Sequence, residues 1–160
     1  MNEEVKYISY EEAISVYAKM IDASDGGFDG VRDEGGIRAA LEFVQNDMYY
    51  PNFSDKLCSL VYKFCSGHYF NDGNKRIALT LGTYFLHKNS YFWQATIFMR
   101  QMESIVYHVA ASNIDKALLH RIMTCFMNGE DYDEELKIDI ANAMSKGELG
   151  INGEDYKVKD

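Results

Sequence analysis

The residues with the greatest potential for chemistry lie together in one short segment, 67-GHYFNDGNKR-76. His68 is the one side chain in it that can exchange a proton near neutral pH, which makes it the candidate general base. Asp72 offers carboxylate oxygens, which Mg²⁺ prefers and usually shares with substrate phosphates. Lys75 and Arg76 add two cations, and the forked guanidinium of Arg76 suits phosphate oxygens. The segment therefore has the composition of a nucleotide phosphate site.

The flanking elements place this segment at a helix N-terminus. An apolar stripe predicts one helix that Ser54 caps and Gly67 ends, and a second helix is predicted from about Asn74 to Lys88. The first N–H groups of a helix have no carbonyl partner and lie at the positive end of its dipole, so the backbone after Gly73 should attract an anion. The sequence Asn-Asp-Gly-Asn before a helix is also common as a plain turn and N-cap.

Helical periodicity predicts an all-α protein in which a bundle surrounds the helix that follows this segment. Apolar residues cover nearly every side of that helix, which is typical of the central helix of a bundle. A capping box formed by Ser9 and Glu12 predicts a first helix ending near Ala23, and Asp33 can cap a second. The glycines in residues 24–30 predict a turn between them. Residues 91–93 are expected to be extended, and further helices are predicted over 98–111 and 115–126.

Composition limits the class of protein. A chain of 160 residues with 47% hydrophobic side chains is long enough for one core and short for two, so residues 1–130 are interpreted as one domain. A net charge of −9 argues against a nucleic-acid partner, because that affinity comes mainly from clustered Lys and Arg. The three cysteines lack C-x-x-C spacing and fit reduced thiols. Cys58 and Cys65 lie two helical turns apart on one face, so we expect them to be buried as small apolar residues. Without a leader pattern or an apolar run near ~18 residues, we expect no membrane partner and a cytoplasmic protein.

Residues 131–160 are interpreted as an acidic C-terminal extension. Over residues 133–146, apolar side chains recur at helical spacing on one stripe, which predicts an additional amphipathic helix. Such a helix either packs on the bundle or forms an interface with a second copy or another protein. Residues from Gly150 onward have too little apolar content for a core and are expected to be loosely ordered or to pair as an edge strand.

The segment 68-HYFNDGNKR-76 agrees at every defined position with the signature H-x-F-x-[DE]-[AG]-N-[GK]-R and so resembles the Fic/Doc family. The stretches 8-ISYEEAISVY-17 and 31-VRDEGGIRAAL-41 also look like that family's opening segments, so the resemblance covers roughly residues 5–125. It implies a helical Fic/Doc fold and an ATP- and Mg²⁺-dependent transferase. The implied roles are a base that deprotonates the target hydroxyl (His68), a Mg²⁺ ligand (Asp72), phosphate binding (Gly73, Asn74, Lys75 and Arg76) and a structural anchor (Phe70).

Two positions make the resemblance closer to the Doc branch, the death-on-curing toxins, than to the adenylylating Fic enzymes. Adenylylating relatives have Gly where this sequence has Lys75, and a second Arg where it has Leu79. A lysine side chain would crowd the place where their nucleotide diphosphate lies. The resemblance to Doc implies a toxin of a type II toxin-antitoxin system. Such a toxin transfers the γ-phosphate of ATP to a hydroxyl side chain of translation elongation factor Tu and so blocks translation.

Three interpretations of the resemblance stay open. The chain is a Doc-like protein kinase, a Fic-type adenylyltransferase that transfers AMP, or a binding module that keeps the fold without the chemistry. The sequence lacks the [ST]-x-x-x-E-[GN] inhibitory motif of some Fic proteins, so a separate antidote protein is expected to restrain the activity. Assembly into a homo-oligomer is also open.

Overall fold

The computed structural model describes residues 3–24 and 30–152, with side chains up to residue 146. Residues 25–29, most of the turn predicted over 24–30, and the end of the chain from residue 153 lie outside the described residues. The expectation of a loosely ordered segment or an edge strand from Gly150 is wrong for residues 150–152, which are helical. In the described part, an isolated antiparallel bridge joins Val31 to Phe70, and the regular elements are all helical. They are α1 (Tyr10–Ala23), α2 (Glu34–Phe43), α3 (Phe53–Ser66), α4 (Asn74–Lys88), α5 (Phe92–Ala110), α6 (Lys116–Asn128) and α7 (Glu134–Asn152).

Helix α4 is the centre of the bundle, and the prediction of an all-α fold is confirmed. It lies against α1, α3 and α5, with α2 and α6 packed on the outer side of α3. Because neighbours cover it on several sides, its apolar residues are shielded from water almost all the way round. The buried side chains of α4 include Ile77, Ala78, Leu81, Phe85 and Leu86.

The N-terminal caps of the helices show where the sequence alone was sufficient to predict the start of a helix. The Ser9 side chain caps α1 in a capping box with Glu12, and Asp33 Oδ1 accepts a hydrogen bond from the N–H of Gly36 at 2.9 Å at the start of α2. The cap predicted at Ser54 is wrong. Asn52 occupies that position, and its N–H donates to Asp55 Oδ2 at 2.9 Å, so α3 begins earlier than predicted.

The extended piece predicted over residues 91–93 is also wrong, because α5 already begins at Phe92. The N–H of Ala95 donates to the carbonyl of Tyr91 at 2.9 Å and so closes the first turn. Phe92 and Trp93 are 56% and 70% exposed. A search for buried apolar periodicity misses a helix whose first aromatic side chains face solvent.

Helix α7 packs on the bundle along its apolar stripe. Leu136, Ile140 and Ala143 are buried against α5 and α6 as part of the main core. At its start, Asp133 Oδ1 accepts a hydrogen bond from the N–H of Leu136 at 2.8 Å. The protein's own bundle therefore covers this stripe.

Two cysteines lie in the core of the bundle, as expected for small apolar residues. Burial raises the pKa of Cys58 to about 12 and that of Cys65 to about 11, so both thiols are neutral at physiological pH. The Cys65 thiol donates to the carbonyl of Val106 at 3.3 Å, which ties α3 to α5. Among the described helices, none combines the length and the apolar character needed to span a bilayer.

Candidate active site

The loop between α3 and α4 contains two residues with left-handed backbone. His68 has φ 53° and Gly73 has φ 79°. Glycine adopts this conformation freely, whereas a histidine there is strained, and such strain is found most often at functional sites. The His68 side chain is exposed, so a proton-accepting imidazole is presented to solvent just before the start of the central helix.

The N-terminus of α4 supplies an anion site made of backbone. Gly73 is the N-cap and has no side chain that could accept hydrogen bonds from the first turn. Its own N–H donates to Asp72 Oδ1 at 2.8 Å, and its carbonyl accepts from the N–H of Ile77 at 2.8 Å. The following N–H groups, of residues 74–76, have no carbonyl partner within the helix and lie at its positive end. They can bind a phosphate group.

Asp72 and Arg76 place opposite charges beside these N–H groups. Arg76 Nη2 lies 3.6 Å from Asp72 Oδ2, and the two side chains are 41% and 48% exposed. Arg76 Nη1 also donates to Ser24 Oγ at 2.6 Å. Among the described residues, Asp72 Oδ2 has only this long contact. Such a carboxylate oxygen beside free N–H groups could serve Mg²⁺, which usually takes one or two carboxylates and completes its shell with water and phosphate.

Lys75 extends from the same turn toward α5. Its side chain is exposed, and its Nζ lies 5.4 Å from the centroid of the Tyr107 ring. This distance is within the range of a cation–π interaction. The two cations of the signature therefore have different surroundings, since Ser24, just after α1, contacts Arg76, and Tyr107 of α5 contacts Lys75.

Phe70 and Asn74 hold the loop in this shape. Phe70 is 1% exposed, and its ring stacks on that of Tyr17 at a centroid distance of 4.0 Å. The Asn74 side chain accepts from the N–H of Phe70 at 3.2 Å and donates to its carbonyl at 3.0 Å. These two bonds use Oδ1 and one of the two N–H groups of the Asn74 amide, so they fix this side chain against the backbone of the loop.

The segment before α2 supports the loop from the other side. The N–H groups of Arg32 and Asp33 both donate to the carbonyl of Tyr69, at 2.8 and 3.0 Å. The Tyr69 ring lies against two glycines, because a Cβ at Gly36 or Gly67 would come within 2.7 or 2.4 Å of it. Burial raises the pKa of the Tyr69 phenol, and the nearby Asp33 charge adds to this. Tyr69 therefore packs as a neutral ring.

Three residues of the site were not found by sequence reasoning. The Tyr17 hydroxyl donates to the carbonyl of Asp72 at 2.8 Å across 55 positions of the chain, and Ser24 and Tyr107 contact the two cations. Of these three residues, only Tyr17 could have been singled out from the sequence, because helical periodicity puts it on the inward face of α1. Periodicity predicts that the side chain is buried, but it does not predict which residue the side chain contacts.

The sequence matches the Fic/DOC family over residues 7–86, which include the whole loop. Protein kinase doc of Escherichia phage P1 is 35% identical over 88 residues, which cover 53% of this chain and 69% of that protein. Toxin Doc of Mycolicibacterium smegmatis is 33% identical over 94 residues, which cover 56% of this chain and 72% of that protein.

The chain belongs to the Fic/Doc family. Both of these relatives are Doc proteins, so the closer resemblance to the Doc branch is confirmed. In this Fic/Doc protein the signature residues occupy the loop and the first turn of the central helix, so one short segment carries the exposed imidazole, the carboxylate, the N–H groups and the cations.

Proposed function

We propose that this protein is a Doc-like toxin that transfers the γ-phosphate of ATP to a hydroxyl side chain of translation elongation factor Tu and so blocks translation in the cytoplasm. The observation that carries the proposal is the turn at the start of α4, where N–H groups without a partner among the described residues and two cations follow the exposed His68 in one short segment. A relative named as a protein kinase, 35% identical, agrees with phosphate transfer.

Each group of the loop has a part in this reaction. The N–H groups of residues 74–76 and the guanidinium of Arg76 bind phosphate oxygens, and Asp72 holds Mg²⁺, which when bound neutralises phosphate charge. His68 takes the proton of the target hydroxyl. The hydroxyl oxygen forms a bond to the γ-phosphorus, the bond from that phosphorus to the β,γ-bridging oxygen breaks, and ADP leaves.

Two residues favour γ-phosphate transfer over AMP transfer. Lys75 places a cationic side chain beside the phosphate-binding N–H groups, where adenylylating relatives have glycine. Leu79, one turn further along α4, is only 9% exposed and offers no phosphate donor. A nucleotide whose terminal phosphate lies at the N–H groups suits this arrangement better than one that needs a second guanidinium at position 79.

Labelled nucleotide tests the proposal directly. Purified protein is incubated with elongation factor Tu and ATP labelled at either the α- or the γ-phosphate. We expect label on elongation factor Tu only from γ-labelled ATP. Label only from α-labelled ATP would support the adenylyltransferase instead, and label from neither on this factor or on any protein of a lysate would support the binding module.

A groove beside Arg76 supports the proposal that a separate antidote restrains the toxin. The groove has a volume of about 800 Å³ between α1, α4 and α5, and Met20, Leu79 and Met99 contribute to its apolar lining. Its charged lining residues are the cations Lys19, Arg76 and Arg100 and the acid Glu103. Because the cations outnumber the acid, we propose an acidic amphipathic segment of the antidote as the occupant. Such a segment would cover Arg76 and block phosphate binding.

The antidote proposal is tested with a charge in the groove. Met99 is 43% exposed, so Met99→Glu should fold normally. We expect this variant to keep its transferase activity and its toxicity but to escape neutralisation by the cognate antidote. Full neutralisation of Met99→Glu would contradict the placement in this groove and leave the transferase proposal intact.

A further inference from the structure

We infer that Ser24, which lies outside the signature, is a positioning residue that orients the guanidinium of Arg76 for phosphate. The inference rests on the proposed function, in which Arg76 binds phosphate. Ser24 directly follows α1, and 52 positions of the chain separate it from Arg76. Nothing in the spacing of the signature residues points to it.

The hydrogen bonds of the Ser24 hydroxyl determine which group donates and which accepts in its contact with Arg76. Arg76 Nη1 lies 2.6 Å from Ser24 Oγ, and Oγ lies 2.8 Å from the carbonyl oxygen of Met20. A hydroxyl has one proton, and the Met20 carbonyl can only accept, so that proton points into the end of α1. A lone pair of Oγ is left for the guanidinium, which can only donate.

The other contact of the guanidinium is weaker. Arg76 Nη2 lies 3.6 Å from Asp72 Oδ2, which is beyond hydrogen-bonding distance. In the proposed reaction the carboxylate of Asp72 serves Mg²⁺, so its attraction for Arg76 falls when the substrate is bound. The Ser24 hydroxyl does not bind Mg²⁺ in this proposal, so its hydrogen bond with Arg76 Nη1 is kept when the substrate binds.

The dipoles of α1 and α4 both favour placing the Arg76 guanidinium at the end of α1. Arg76 is in the first turn of α4, where the helix dipole repels a cation, and Ser24 lies at the end of α1, where the last carbonyls carry partial negative charge. The guanidinium is therefore drawn across to the end of α1. At α1 it meets the hydroxyl of Ser24.

Gly73 makes this close approach possible. A Cβ at Gly73 would lie 3.1 Å from Met20 Cε and 3.3 Å from Arg76 Nη2, tighter than most real contacts of a Cβ. Bare backbone at this position thus lets the end of α1 and the guanidinium pack together over the N-terminus of α4. Gly73, Met20 and Ser24 form one wall against which Arg76 is held.

The test measures the dissociation constant of Mg·ATP by calorimetry together with KM and kcat for phosphate transfer. Ser24→Ala should raise the dissociation constant and the KM for ATP roughly three- to tenfold, the range of an ordinary hydrogen bond and less than that of a buried bond to a charged group, because Ser24 is exposed. The KM for elongation factor Tu should not change. Ser24→Thr keeps the hydroxyl and should restore ATP binding. Ser15→Ala, at an exposed serine of α1, is the matched control.

A double variant tests whether Ser24 acts through Arg76. In Arg76→Ala, the additional change Ser24→Ala should leave the dissociation constant of Mg·ATP as it is, because the hydroxyl acts only through the guanidinium. The inference is overturned if Ser24→Ala binds Mg·ATP like the unchanged protein, if Ser24→Thr is as weak as Ser24→Ala, or if the two changes add. If the unchanged protein binds Mg·ATP but transfers no phosphate, the proposed function fails, while the binding comparison still tests Ser24.

Discussion

The loop of residues 67–76 and helix α7 use their side chains for opposite purposes. The loop exposes an imidazole on left-handed backbone and presents half-exposed charges beside unpaired N–H groups. Helix α7 buries an apolar stripe in the core, and on its surface Asp139 accepts from Arg121 at 2.6 Å. The loop thus leaves polar groups ready for a ligand, whereas α7 uses its groups within the protein. Substitutions in the loop should change activity, and substitutions in the stripe of α7 should change stability.

The largest expected effect is on activity and comes from the loop. His68→Ala should lower the rate of phosphate transfer by roughly 10²–10⁴, the usual contribution of a positioned base, and leave the melting temperature nearly unchanged because His68 is exposed. His87→Ala, at an exposed histidine near the opposite end of α4, is the control. Full activity in folded His68→Ala would remove His68 from the mechanism.

The opposite result is expected on α7. Leu136 is 6% exposed, so Leu136→Ala should lower the free energy of unfolding by roughly 2–4 kcal/mol through lost burial and a cavity. The transfer rate should stay the same well below the melting temperature. Ile138→Ala on the exposed side of the same helix, where the side chain is 57% exposed, should change stability by no more than about 0.5 kcal/mol. Equal losses in both variants, measured by denaturant unfolding, would contradict the packing of α7.

Removal of the whole extension separates packing from assembly. Deleting residues 131–160 should lower the melting temperature strongly, because the apolar stripe of α7 belongs to the main core. The mass of the shortened protein in solution should fall only by the mass of the deleted residues in each copy. A change in the number of copies per particle would indicate that the extension also forms an interface between copies, and an unchanged melting temperature would refute its role in stability.

Lys75 tests the part of the loop that selects the reaction. Lys75→Gly should weaken γ-phosphate transfer and permit some AMP transfer, since the side chain that crowds the site is gone. A combined Lys75→Gly and Leu79→Arg variant should shift the ratio further toward AMP. Labelled ATP with elongation factor Tu measures both products, and unchanged γ-phosphate transfer in Lys75→Gly would show that this residue does not distinguish the branches.

One contribution to the pH dependence of stability comes from a network far along α4 from the loop. Lys88 Nζ donates to Glu12 Oε2 at 2.7 Å and Tyr84 donates to the same oxygen, which lowers the pKa of Glu12 from 4.5 to about 2. Because the folded pKa is the lower one, this stabilisation is complete above the unfolded value of 4.5 and is lost as pH falls toward 2. Glu12→Gln should therefore be less stable than the unchanged protein at pH 7, and the gap in melting temperature should close on acidification. A constant gap would contradict the network.

The smallest effect is expected at Tyr107, which contacts Lys75. Tyr107→Leu removes the ring and should raise the KM for ATP about two- to fivefold, as expected for an exposed cation–π pair. Tyr107→Phe keeps the ring and should match the unchanged protein. Chemical shifts of the Lys75 side chain, which ring currents displace only when the ring is present, check the contact independently of activity.

Local signals in the sequence were enough to locate the site and most of the helices around it. The capping residues Ser9 and Asp33, and the bounds of α4 at Asn74 and Lys88, follow from short-range hydrogen bonds and periodicity, which depend on residues three or four positions apart. The signature of residues 68–76 likewise lies within one stretch of the chain, so the kind of chemistry it supports can be predicted without knowledge of the fold. The early start of α5 escaped prediction because its first aromatic residues face solvent.

Only the tertiary structure decided what the site residues contact. Tyr17 reaches Asp72 and Ser24 reaches Arg76 across more than 50 positions of the chain, and periodicity states that a side chain is buried without naming its partner. The same limit applies to Asn74, whose amide is bound to the backbone of Phe70 because the loop curls back on the helix start. Types and spacing along the chain determine which groups are available. The packing of α1 and α5 against α4 determines which way they point.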